Sequence, residues 1–117
     1  MRLINLTPHV ISIYNREGTE VLLELPAYPK QVRCKMTTDI IGYSQIDHNG
    51  KVVPIDNTLT HFDDVINLPD PKPGIIFIVS KLVAEKMKGK RDDLRIANGT
   101  MRNESKTIIG CRSLGII

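Results

Sequence analysis

Ile75-Ile76-Phe77-Ile78-Val79-Ser80-Lys81-Leu82-Val83-Ala84-Glu85-Lys86-Met87-Lys88-Gly89 is the stretch that decides the fold. Its uninterrupted apolar run, rich in β-branched and aromatic side chains, predicts a fully buried central strand over Ile75–Val79. Ser80 is a good helix N-cap, so Lys81–Lys88 reads as a helix of about two turns. Leu82, Val83 and Met87 form its expected core face, and Gly89 ends it.

Upstream, Leu68-Pro69-Asp70-Pro71-Lys72-Pro73-Gly74 is a rigid connector delivering the chain into that strand. Earlier segments are short and extended. Met1–Leu6 and Val10–Tyr14 read as strands, and Asn15-Arg16-Glu17-Gly18 turns the chain into Glu20–Leu25. After Pro26 and Pro29, Gln31–Lys35 resumes an alternating pattern. Ile40–Ile46 and Lys51–Ile55 flank Asp47-His48-Asn49-Gly50, and Asn-Gly is the strongest local hairpin signal. Pro54 places the second arm at an edge or ends it early, and Asp56–Asp64 is polar. Downstream, Arg91–Leu94 reads as a polar loop. Arg95–Ala97, Met101–Arg102 and Thr107–Arg112 read as closing strands, with Asn98-Gly99 as a turn.

Together these segments predict one α+β domain over residues 1–117, a mainly antiparallel curled sheet or open barrel with one principal helix. The chain has 117 residues and a mass of 13.1 kDa, enough for a core without metal or disulfide support. It has no Trp and only 4% aromatic residues, so that core must be mostly aliphatic. No apolar stretch approaches the roughly 20 residues of a membrane span and no signal sequence opens the chain, so a cytoplasmic location is expected. Cys34 and Cys111 are isolated and share no ligand spacing with His9, His48 or His61, which makes them small buried hydrophobes and sets zinc aside. No cofactor is expected. Net charge is +3 and the pI near 9.0, with Lys81, Lys86, Lys88, Lys90, Arg91 and Arg95 close together. That segment suits a solvated helix face or an anionic partner, and without interleaved aromatics a nucleic-acid partner is not expected.

Three places carry candidate chemistry. Leu6-Thr7-Pro8-His9 breaks an apolar run, and His9 is either a fastener of that break or a ligand-facing imidazole. Thr7 and His9 can share a face, being two residues apart on extended chain. Ser80 stands where a strand meets a helix, a position suited to an anion. Lys90-Arg91-Asp92-Asp93, Arg102-Asn103-Glu104 and Arg112 offer guanidinium forks and carboxylates, or else a surface ion-pair network of little value. No phosphate-binding glycine loop and no nucleophile elbow occurs.

Ile4-Asn5-Leu6-Thr7-Pro8-His9-Val10-Ile11-Ser12-Ile13, Leu68–Pro71, Ile76–Ala84, Arg91-Asp92-Asp93-Leu94 and Ile108–Leu114 resemble, in order, a family of small phage and prophage proteins. Cys34–Thr60 carries little of the resemblance, and Ala27-Tyr28-Pro29 stands where the family has Pro-Ser-Gly. The resemblance implies a mobile-element context and, for a protein this small, action by binding.

The expectation is therefore a phage-type homo-oligomeric module that sequesters a small anionic, nucleotide-derived ligand such as an immune signal. Thr7, His9, Ser80, Arg91, Asp92, Arg102 and Arg112 are its candidate ligand-binding residues, with Tyr14, Tyr43 or Phe62 to stack on a base. Free strand edges of a small open sheet are the reason to expect an oligomer. The alternatives are a hydrolase or lyase using His9 as general base on the same ligand class, and a protein-binding inhibitor or virion accessory protein.

Overall fold

A computed structural model describes residues 1–117. In chain order its elements are β1 (Arg2–Asn5), β2 (Ile11–Tyr14), β3 (Val21–Leu25), β4 (Arg33–His48), β5 (Lys51–Ile66), β6 (Ile75–Ile78), α1 (Lys81–Lys86), β7 (Leu94–Arg102) and β8 (Ile108–Gly115). The protein is mostly β, with a nearly closed six-stranded mixed barrel-like sheet, a β-hairpin and one short helix. Two compact units make up the chain: Met1–Arg33 with Val65–Ile117, and Cys34–Asp64.

In the first unit the strand order is β1-β6-β7-β8-β2-β3. The longest ladder is antiparallel, β7 with β8, and β2 with β3 is antiparallel as well. Short parallel pairings join β1 to β6, β6 to β7 and β2 to β8. Ile75–Ile78 thus has a neighbour on each side, which is why it is an unbroken apolar run. The two outer strands, β1 and β3, are tied where they end: the Tyr28 amide donates to the Thr7 carbonyl at 3.0 Å, and the Asn5 side chain reaches the Pro26 carbonyl at 3.1 Å. This join nearly closes the barrel where the two strands end, although β1 and β3 each pair on one side only.

Leu6, Val32, Phe77, Val79, Val83, Ala84 and Leu94 form the core, with Met87 and Ile96 packed against it. Ser80 caps α1, its hydroxyl accepting from the Val83 amide at 3.3 Å, and the helix ends at Met87 just before Gly89 (φ +80°). Val83 and Ala84 supply the buried face of the helix, and Leu82 is only half-buried. Asn15 builds the β2–β3 turn, its carboxamide oxygen accepting from the amides of Thr19 and Glu20. Both cysteines are buried free thiols.

Two local expectations are corrected. Asn98-Gly99 is not a turn. β7 runs straight through it, with Asn98 opposite Ser113 and Thr100 opposite Cys111, while Gly99 takes φ +59° without reversing the chain. The reversal comes instead at Asn103–Lys106, where the Asn103 side chain accepts from the Thr107 amide and Lys106 adopts φ +62°. Nor does Pro54 end the second arm early. In the second unit β5 continues through it, paired only with β4 across the Asn49-Gly50 turn. A two-stranded ribbon has no buried face, so its strands need no apolar alternation.

Candidate functional site

The proline break organises a groove. Asn5 is 4% exposed at the end of β1, and its carboxamide makes every bond it can. The oxygen accepts from the Thr7 amide (2.9 Å) and the Thr7 hydroxyl (2.7 Å). The nitrogen donates to the carbonyls of His9 (2.7 Å) and Pro26 (3.1 Å). Thr7 also receives the His9 amide at 3.4 Å. The Leu6–His9 corner is therefore an Asx-type turn closed around a buried amide, and Asn5 is the fastener. The His9 imidazole plays no part in the fastening and is exposed. The Leu6 amide donates to the Ile78 carbonyl at 2.9 Å, which sets this corner beside the β6–α1 junction.

Between the corner, that junction, β7 and the start of β8 lies an open groove of about 960 Å³. Ile11, Ile78, Ile96, Ile108 and Ile109 give it an apolar floor, and Thr7, His9, Ser80, Lys81, Arg102 and Lys106 line it. Its ionisable lining residues are thus one imidazole and three cations, with no carboxylate among them. Arg102 is partly fixed, one guanidinium nitrogen donating to the Lys106 carbonyl at 2.9 Å, and its remaining donors are available to an anion.

Four of the seven candidate residues, Thr7, His9, Ser80 and Arg102, meet at this groove. Two of these have hydroxyls in structural use, Thr7 with Asn5 and Ser80 as helix cap. A six-residue helix offers too small a dipole to make its N-terminus an anion site. Arg91, Asp92 and Arg112 are not among the lining residues. Arg91 grips Asp93 through two parallel bonds of 2.8 Å, and the Asp92 carbonyl accepts from Arg95. Arg112 lays its guanidinium over Gly18. The hydrogen bond from Arg91 holds the Asp93 carboxyl below its ordinary value, and burial pushes the Cys111 thiol up.

No Phe, Tyr or Trp side chain lines the groove. Tyr14 lies against Gly110, and Tyr43 and Phe62 belong to the ribbon of β4 and β5. Lys106 was missed in the sequence because its position depends on where the β7–β8 reversal falls. Its only signal is Asn103 opening a polar run after a strand. Asn5 was missed as the fastener, though Asn-x-Thr before a proline is a readable Asx-turn signature.

Neither the family models, the curated proteins nor the solved structures contain a match to this chain.

Proposed function

We propose that the protein is a binding module that captures a small anionic ligand in the groove between the Thr7–His9 corner and the β7–β8 reversal. One observation carries this reading: Lys81, Arg102, Lys106 and His9 line an apolar-floored groove that holds no carboxylate. A surface of mixed charge scatters acids among its bases, whereas a site for an anion excludes them. The apolar floor asks for a ligand with a nonpolar body beside its charge, as a nucleotide has. The phage-family resemblance gives such capture a purpose, the sequestration of a nucleotide immune signal.

Holding fits the residues better than catalysis. The hydroxyls of Thr7 and Ser80 are committed to Asn5 and to the helix cap, and His9 makes no ion pair with a carboxylate that would orient it as a base. Absence of an aromatic wall points away from stacking and towards recognition of phosphate and sugar. The test is a thermal-shift panel of cyclic nucleotides, cyclic dinucleotides and ADP-ribose, followed by denaturation and analysis of what is released. A stabilising ligand recovered intact supports capture. Recovery of a cleaved product that disappears in His9→Ala supports the hydrolase reading instead.

A further inference from the structure

The ribbon of β4 and β5 has the features of a strand pair with a missing neighbour. Each strand pairs only with the other, so each carries one unpaired edge of backbone donors and acceptors along sixteen residues. From Cys34 to Asp64 every residue is exposed except Cys34, Ser44 and Val53. Met36, Ile40, Ile41, Tyr43 and Ile46 on β4 stand in solvent, as do Val52, Ile55 and Leu59 on β5. An isolated two-stranded ribbon is at best marginally stable in water, so a ribbon of this length and apolarity calls for a partner.

The two edges are not alike. β5 carries the usual guards against edge pairing, Pro54 together with Asp56, Asp63 and Asp64. From Met36 to Ile46, β4 has no proline and a single charge, Asp39, which pairs with His61 of its own ribbon at 3.1 Å. The same stretch, Met36-Thr37-Thr38-Asp39-Ile40-Ile41-Gly42-Tyr43-Ser44-Gln45-Ile46, is rich in β-branched side chains. Ile40 and Ile41 sit at its middle and project to opposite faces, being adjacent on a strand.

We propose that β4 is a homodimerisation strand, pairing antiparallel with β4 of a second copy about a two-fold axis near Ile40–Ile41. Identical strands related by a two-fold must run antiparallel, and an axis at the strand's centre uses its whole length. This arrangement joins two ribbons into a four-stranded sheet with the acidic β5 strands outermost and apart. A standard interface takes roughly 800 Å² from each partner. Met36, Ile40, Ile41, Tyr43 and Ile46, 47–68% exposed along this sixteen-residue edge, are the apolar surface it would draw on. The proposal is independent of the groove and of any ligand.

Sedimentation of the full chain across micromolar concentrations tests it. The wild type is expected at twice the 13.1 kDa chain mass. Ile40→Lys/Ile41→Lys should weaken self-association at least tenfold, and Val52→Lys/Ile55→Lys on β5 should leave it unchanged. Both pairs of positions are exposed in the single chain, so an unaltered circular dichroism spectrum is expected. Hydrogen exchange gives a reading that needs no variant: amides of residues 36–46 should become more protected as wild-type concentration rises. A monomeric wild type, or a dimer insensitive to the β4 substitutions, overturns the proposal. So does dissociation by the β5 pair alone.

Discussion

The Asn5 carboxamide oxygen takes two hydrogen bonds from a single residue, Thr7, at 2.9 Å from its amide and 2.7 Å from its hydroxyl. Because the nitrogen of the same carboxamide holds His9 and Pro26, one buried side chain links β1, the proline corner and the segment after β3. Barrel closure and groove shape both rest on it.

Asn5→Ala should cost about 2–4 kcal/mol, since it leaves several backbone groups without partners. Thr7→Val should cost about 1 kcal/mol, and Thr7→Ser much less. Urea denaturation measures all three. An Asn5→Ala protein as stable as wild type would remove the corner's structural basis.

Local features were legible where one segment sets its own conformation. The Asn49-Gly50 hairpin, the Ser80-capped helix and the apolar strand Ile75–Ile78 all form where their residues direct, although Ile75 and Ile76 are only half-buried. Features set by distant partners were not. Parallel pairing of Arg2–Asn5 with Ile75–Ile78 joins segments 73 residues apart and leaves no local trace. Asn98-Gly99 carries a turn signature, yet the ladder with Ile108–Gly115 draws it into a strand. At the groove, Thr7, His9 and Ser80 were legible as polar residues at breaks, and Arg102 as a guanidinium fork. Arg91 was not separable from them, because its bidentate grip on Asp93 depends on a fold-specific loop.

Of the glycines, Gly110 leaves the least room for a side chain. A Cβ there would run into the Ser12 carbonyl and stand 2.6 Å from the Tyr14 ring. A backbone carbonyl held in the β2–β8 seam has little room to retreat, so Gly110→Ala should destabilise by roughly 2–3 kcal/mol. Gly50→Ala, with open space around its Cβ but φ +76°, should cost about 1 kcal/mol through backbone strain alone. Thermal unfolding of the two variants ranks them, and the reverse order would contradict the close contact.

The Arg91–Asp93 pair gives the protein an acid-sensitive contribution. Its side chains are 11% and 12% exposed, so losing one partner should cost more than the ~1 kcal/mol of a surface pair and up to the ~3–5 kcal/mol of a buried one. Asp93 titrates lower in the folded protein than in the unfolded chain. Its contribution is therefore complete above the ordinary carboxylate value near 4 and is lost as pH falls through the lowered folded value. Stability measured from pH 6 to pH 2 should fall more steeply in wild type than in Asp93→Asn. Parallel curves would mean that the pair adds nothing.

Cys111 is fully buried and its thiol is pushed up by that burial, so it should stay protonated and unreactive at pH 8. Iodoacetamide should modify Cys111 at least tenfold more slowly in native protein than in urea, read by peptide mass spectrometry. Equal rates would contradict its placement in the β8 seam.

The central claim, an anion-binding groove, is tested most directly by calorimetric titration of wild type and of Arg102→Glu/Lys106→Glu, with ADP-ribose and a cyclic dinucleotide as probes. The expected result is saturable binding of one probe in wild type, weakening with added salt and falling at least tenfold in the charge-reversed variant, while Arg112→Glu, whose guanidinium lies over Gly18 and does not line the groove, binds as wild type. No binding of either probe, or equal binding by wild type and the Arg102/Lys106 variant, would contradict it.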